Sequence, residues 1–118
     1  MGEFYNLLRE IERKPGLYIG QPSISGLYMF LQGYGFARRQ LNVPPSIEEQ
    51  QFREFQPWLQ QRFNLQTSQA WSQMILLTEL NEQSAFNRFF DLWKEFSQQQ
   101  STESKNGHPV SNIMIKAS

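Results

Sequence analysis

In the stretch Asn81-Glu82-Gln83-Ser84-Ala85-Phe86-Asn87-Arg88-Phe89-Phe90-Asp91-Leu92-Trp93-Lys94-Glu95-Phe96, the residues Ala85, Phe86, Phe89, Phe90, Trp93 and Phe96 recur at three- and four-residue steps. That spacing gathers them on one broad face of an α-helix. Large rings bury much area per residue, so such a face needs other elements to cover it. Asn81 stands where an N-cap belongs.

Working back along the chain, the same period returns. Ala70, Trp71, Met74, Ile75 and Leu77 make an apolar helical face after a cap at Thr67 or Ser68. Trp58, Leu59, Arg62 and Phe63 follow Pro57, which a helix tolerates in its first turn. A break is therefore expected at Phe55-Gln56. Ser46 and Glu49 have capping-box spacing and predict a short helical segment containing Phe52. Ser23 caps a helix whose stripe is Leu27, Phe30, Leu31 and Tyr34, and Asn42 with Pro44-Pro45 ends it. Gly26, Gly33 and Gly35 lie inside that helix at about 1 kcal/mol each relative to Ala, which predicts close helix-helix approach. Phe4, Leu7, Leu8 and Ile11 form the stripe of a first helix over residues 3–13, which Pro15 stops.

The expected fold is all-α: a single small domain of about five helices over residues 1–96. Residues 97–118 read as a polar tail, because Ser97–Lys105 has linker composition. Val110–Ile115 regains apolar character and is expected to dock on the body or pair as an extended strand.

Composition narrows function. Lys plus Arg and Asp plus Glu number 11 each, so the net charge is zero, whereas a strongly basic nucleic-acid binder would be lopsided. There is no cysteine, which removes disulfides, thiolate nucleophiles and Cys-ligated zinc. No apolar run approaches the ~20 residues that span a bilayer. Met1-Gly2-Glu3-Phe4 lacks a signal-peptide start, so a cytoplasmic protein without membrane association is expected. The one histidine, His108, lies in the polar tail after Asn106-Gly107, a poor place to hold a general base. Glu10 with Glu12 and Glu48-Glu49 sit in charged or polar runs and read as solvated faces. Arg38-Arg39 near Tyr34 and Phe36 reads as dipole-favoured arginines beside core rings. No catalytic residue, metal ligand or cofactor is expected.

Lys14-Pro15-Gly16-Leu17-Tyr18-Ile19-Gly20 is an apolar connector, expected to be extended and buried with Tyr18 in the core. With Arg13 it resembles the Arg-Pro-Gly-Met-Tyr-Ile-Gly segment of the ATPase subunits of bacterial type II topoisomerases. That family also needs an Asn and Glu on a neighbouring helix and glycine-rich phosphate loops. Here Leu27-Tyr28-Met29-Phe30-Leu31-Gln32-Gly33-Tyr34 carries no acid, and no Asp-Xaa-Gly-Xaa-Gly occurs. A longer resemblance, over residues 3–96, is to small helical bacterial proteins of the toxin-immunity type. It rests on the same turn, Gly33-Tyr34, Phe55-Gln56-Pro57-Trp58, Trp71-Ser72-Gln73-Met74-Ile75-Leu76 and the closing Phe-rich helix. Leu17 stands for the usual Met, a volume-conserving exchange. The resemblance implies a binding partner and transfers no catalytic residue.

The expectation is a non-enzymatic protein-binding domain. Its partner is a second protein, a toxin in the form the resemblance implies, or a second copy of the chain. Phe36, Phe55 and Trp58 lie at breaks or off the main stripes and are the candidate interface; Trp58, with Phe55 or Phe36, is expected to be more exposed than Phe89 or Trp93 and to lie on one patch. The alternative is a small-ligand or nucleotide-associated domain using the Pro-Gly-Leu-Tyr-Ile-Gly turn. A cavity lined by Tyr18, Tyr28 and Tyr34 would carry that reading.

Overall fold

A computed structural model describes residues 2–105, with side chains through Gln100. The described residues form α-helices and connecting turns, and the chain is all-α: α1 Glu3–Arg13, α2 Pro15–Ile19, α3 Ile24–Gln40, α4 Ile47–Arg53, α5 Phe55–Arg62, α6 Trp71–Leu77 and α7 Glu82–Lys105.

The long helix α7 is the spine. Asn81 opens it as the sequence predicts: the Ser84 backbone N–H donates to Asn81 Oδ1 at 2.8 Å, and Asn81 N–H donates to Ser84 Oγ at 3.2 Å. Its Ala85, Phe86, Phe89, Phe90, Leu92 and Phe96 are buried, and Trp93 is half-buried. Against this face pack α3, α5 and α6. Instead of ending near Phe96, α7 runs on to Lys105, because Gln, Glu and Lys are good helix formers. Two contacts anchor that half of the helix to α5. Arg62 Nε meets Glu95 Oε2 at 2.7 Å, and Trp58 Nε1 donates to Gln99 Oε1 at 2.8 Å. The rest of the expected tail, including His108 and Val110–Ile115, lies outside the described residues.

Phe55 departs most from its expected place. It is fully buried and makes ring contacts with Phe52, Trp58, Trp71, Phe89, Trp93 and Phe96. The cause is local. Glu54 closes α4 and opens α5 with helical dihedrals, φ −73° and ψ −13°, so the chain bends without leaving helical space. Phe52 and Phe55 are three residues apart across that bend and stack with centroids 5.8 Å apart. Pro57 in the first turn of α5 needs no N–H partner there.

The connector is also not extended. Pro15 occupies the first position of α2, a single helical turn, and Lys14 before it is non-helical at φ −136°, ψ 64°, since proline disfavours the α region for the residue that precedes it. Gly20, at φ +86°, ends the turn where a side chain would be strained. Leu17 is 73% exposed, and Tyr18 and Ile19 are half-buried, Tyr18 edge-on to Phe30 at 6.3 Å. A single turn presents its residues around a full circle, so three consecutive apolar residues cannot all face inward.

Carboxylates tie the helix starts together across the chain. Glu48, near the start of α4, accepts the Gly2 and Tyr5 backbone N–H groups at 2.7 and 2.8 Å and so caps α1. Glu82, the first residue of α7, accepts Ser25 N–H at 2.9 Å and Ser25 Oγ–H at 2.7 Å at the start of α3. Ser23 caps that same helix, taking Gly26 N–H at 2.8 Å. The 64–70 loop is held to α5 by glutamines: Gln60 Nε2 donates to Thr67 O at 2.8 Å and Gln56 Nε2 to Gln69 O at 3.0 Å. Neither Thr67 nor Ser68 caps α6, whose N-cap is Ala70 with no side-chain bond. No helix among the described residues is long and apolar enough to cross a membrane.

Candidate functional site

Two faces of α3 hold the features the core does not use. Inward, Ile24, Leu27 and Leu31 are buried. Outward, Met29, Gln32, Gly33, Phe36, Ala37 and Gln40 form an exposed stripe with no charge in it. Met29 is 68% and Phe36 55% exposed, and their seven-residue spacing puts them two turns apart on the same line. On its flank the Arg39 guanidinium lies over the Phe36 ring, 6.0 Å from the centroid. Other exposed large apolar residues are scattered over short elements, helix ends and loops: Leu17, Leu41, Ile47, Leu65, Leu77 and Leu80. Such singletons are ordinary on a protein surface.

The expected patch of Trp58 with Phe55 or Phe36 does not form. Phe36 is on the outer stripe. Phe55 is sealed in the core and withdrawn as a contact residue. Trp58 is half-buried, as is Trp93, and its ring stacks on Phe55 and meets Phe96 edge-on while its N–H is taken by Gln99. Among the described residues no ring contact joins Phe36 to either. Met29 was missed because a methionine at helical spacing looks like core; its angular separation from Leu27 and Leu31 was the available signal.

The second feature is a cavity of about 180 Å³ beside the C-terminal half of α3, closed by α4 and residues 43–45. Its floor is Phe4, Leu31, Phe52 and Trp71, and its wall carries Gly35, Arg38, Arg39, Glu49 and Arg53. Phe4, Leu31 and Trp71 keep 5%, 8% and 7% exposure, whereas the other core residues keep 3% or less. All three line this cavity, so it is where the core opens to solvent.

Arg38 is fixed within the wall. It grips Glu49 with Nε and Nη2 at 3.1 and 2.9 Å, donates to Pro44 O at 3.3 Å, and lies 5.5 Å from the Tyr34 ring centroid. Glu49 meanwhile completes the predicted capping box with Ser46. Burial opposes the charge on Glu49, but the Ser46 and Arg38 bonds together outweigh it and hold its carboxyl below the ordinary range. Arg39 and Arg53 make no ion pair among the described residues. Tyr18 and Tyr28 do not line this cavity; of the three expected tyrosines only Tyr34 does. Among the described residues no group of three or more His, Asp or Glu is placed to hold a metal ion.

Compared with protein-family models, with curated proteins and with solved structures, the chain matches none.

Proposed function

We propose that the chain is a non-enzymatic protein-binding domain whose contact is the outer stripe of α3, centred on Met29 and Phe36. The observation that carries this reading is the two-sidedness of α3: an uncharged stripe with two large apolar side chains runs opposite the buried face. The acids support it in a second way, because six of them already have structural partners. Glu48, Glu49 and Glu82 cap helices, and Glu10, Glu12 and Glu95 pair with Arg13, Lys94 and Arg62. In its finer form, which rests on the resemblance of motifs alone, the domain is a bacterial immunity protein and its partner a toxin.

A photo-crosslinking residue at position 36, introduced in the native cell, tests the contact. It should give one discrete adduct, at twice the 14.0 kDa chain mass if the partner is a second copy. The same residue at position 58 should give none, and Met29→Asp should remove the adduct at 36. Equal adducts at both positions, or none at 36, would overturn the reading.

A further inference from the structure

The cavity beside α3 borders the contact stripe at Gln32 and at Arg39, whose guanidinium lies over Phe36, but its chemistry is legible on its own. We infer that it is a binding site for a small organic acid: one apolar ring carrying an anionic head, a carboxylate or a phosphate.

Size sets the first limit. At about 180 Å³ it is smaller than the ~300–1,000 Å³ of drug-sized sites. An enclosed apolar cavity of ~150 Å³ already holds benzene. One ring plus a head group is the scale that fits. The floor suits the ring, since Phe4, Leu31, Phe52 and Trp71 meet solvent here and Phe52 and Trp71 offer aromatic surface.

Charge sets the second limit. In a chain with no net charge, this cavity gathers three guanidiniums against one carboxylate. Arg38 and Glu49 neutralise each other. Arg39 and Arg53, on helices α3 and α4, remain in its lining. Guanidinium forks bind carboxylate and phosphate oxygens in bidentate fashion, and beside an apolar floor they discriminate against a neutral ligand.

Gly35 supplies the third observation. Three glycines in one helix predict close helix approach, but none of them sits in one: the tight neighbour of a Cβ at 26 would be the helix's own cap, Ser23 Oγ at 3.0 Å, with Ile19 Cβ at an ordinary 3.7 Å. Around Gly33 nothing lies within 4 Å. At Gly35 an added Cβ would meet only Arg39 Nη1, at the ordinary contact distance of 3.5 Å. Helix packing therefore does not require glycine at 35, although Ala would favour the helix. What a larger residue there would do is enter the cavity mouth and displace Arg39.

The test uses the full chain, with backbone amide and indole NMR shifts as the readout. Benzoate and phenyl phosphate are the anionic probes and benzamide the neutral control, each at millimolar concentration. At least one anion should give saturable shifts at Gly35, Arg39, Arg53 and the Trp71 indole, and the tighter of the two names the head group. Benzamide should bind at least tenfold more weakly. Gly35→Leu should abolish the shifts, whereas Gly33→Leu, on the outer stripe, should leave affinity within about twofold. Arg39→Gln and Arg53→Gln should each weaken the anion about tenfold and leave benzamide unchanged. Both glycine variants keep the helix, so their amide spectra report folding directly. The inference is overturned if neither anion gives saturable shifts, if benzamide binds equally, or if folded Gly35→Leu binds as well as the parent chain.

Discussion

Two regions built from the same residue types behave differently. Where α5 meets α7, Phe55 touches six rings and is itself sealed from solvent, with Trp58 and Trp93 half-buried around it. Where α3 meets α4, Phe4, Phe52 and Trp71 are also aromatic, yet they border a cavity edged with arginine. The difference comes from what faces the rings. On the first side Trp58, Phe89, Trp93 and Phe96 interdigitate. On the second, α3 turns Gly35, Arg38 and Arg39 toward them. Aromatic content alone does not make a closed core; a ring needs an apolar side chain opposite it.

The sharpest way to break the contrast is to empty its closed side. Phe55→Ala should cost about 3–5 kcal/mol, because its neighbours are rigid rings that cannot collapse into the space. A denaturation midpoint shifted by less than a third of that would mean the two regions are packed alike.

Tyr18→Ala should cost less, about 1–2 kcal/mol. Its ring is half-buried at the edge of the core, and Phe30 is the ring that it meets, edge-on. A loss of 3 kcal/mol or more in urea unfolding would place Tyr18 in the core after all and restore the buried connector that the sequence predicts.

Periodic residues made the all-α fold legible: the α1 stripe, the α7 face and the caps at Ser23, Ser46 and Asn81 all stand where the spacing puts them. Residues at breaks were not legible. Phe55 reads as exposed because Pro57 in the first turn of a new helix puts the expected break at Phe55-Gln56, while Glu54 keeps helical dihedrals and only redirects the chain. Leu17-Tyr18-Ile19 reads as a buried strand-like run because a one-turn helix leaves no period to detect. The cavity was not legible either, since Phe4, Leu31, Phe52 and Trp71 come from four separate helices. Arg38-Arg39 shows the same limit. Adjacent in sequence, one is consumed by Glu49 and the other is not, and only the position of α4 decides which.

Glu82 links the starts of α3 and α7, and its loss should be smaller again. Ser25 backbone and side-chain bonds hold its carboxyl below the ordinary value, against a minor opposing effect of burial. A depressed folded-state pKa contributes stability that is present above the unfolded carboxylate value, about 4.3, and lost as pH falls through the folded value. Stability should therefore decline below about pH 4.3. Glu82→Gln should flatten that decline and cost about 1 kcal/mol at neutral pH, as the loss of a helix cap does. A neutral-pH melting midpoint equal to that of the parent chain would show that Ser25 is satisfied without it.

The smallest effect on stability should come from the region proposed to matter most for function. Met29→Asp with Phe36→Asp adds two charges to an exposed stripe. Surface substitutions of this kind stay within about ±0.5 kcal/mol each. Aspartate is a poorer helix former than methionine, so a small loss is expected from propensity alone. Arg39 beside Phe36 also exchanges a ring contact for a carboxylate within reach, which offsets part of that loss. The double variant should therefore keep its circular dichroism spectrum and unfold within about 1 kcal/mol of the parent chain, while losing whatever adduct forms at position 36. A loss of several kcal/mol would mean that Met29 and Phe36 are packed in solution against something that stabilises the fold. In that case light scattering on the parent chain should give twice the monomer mass, and on the double variant the monomer mass. Stability and association would then fall together, as they do when folding and dimerisation are linked.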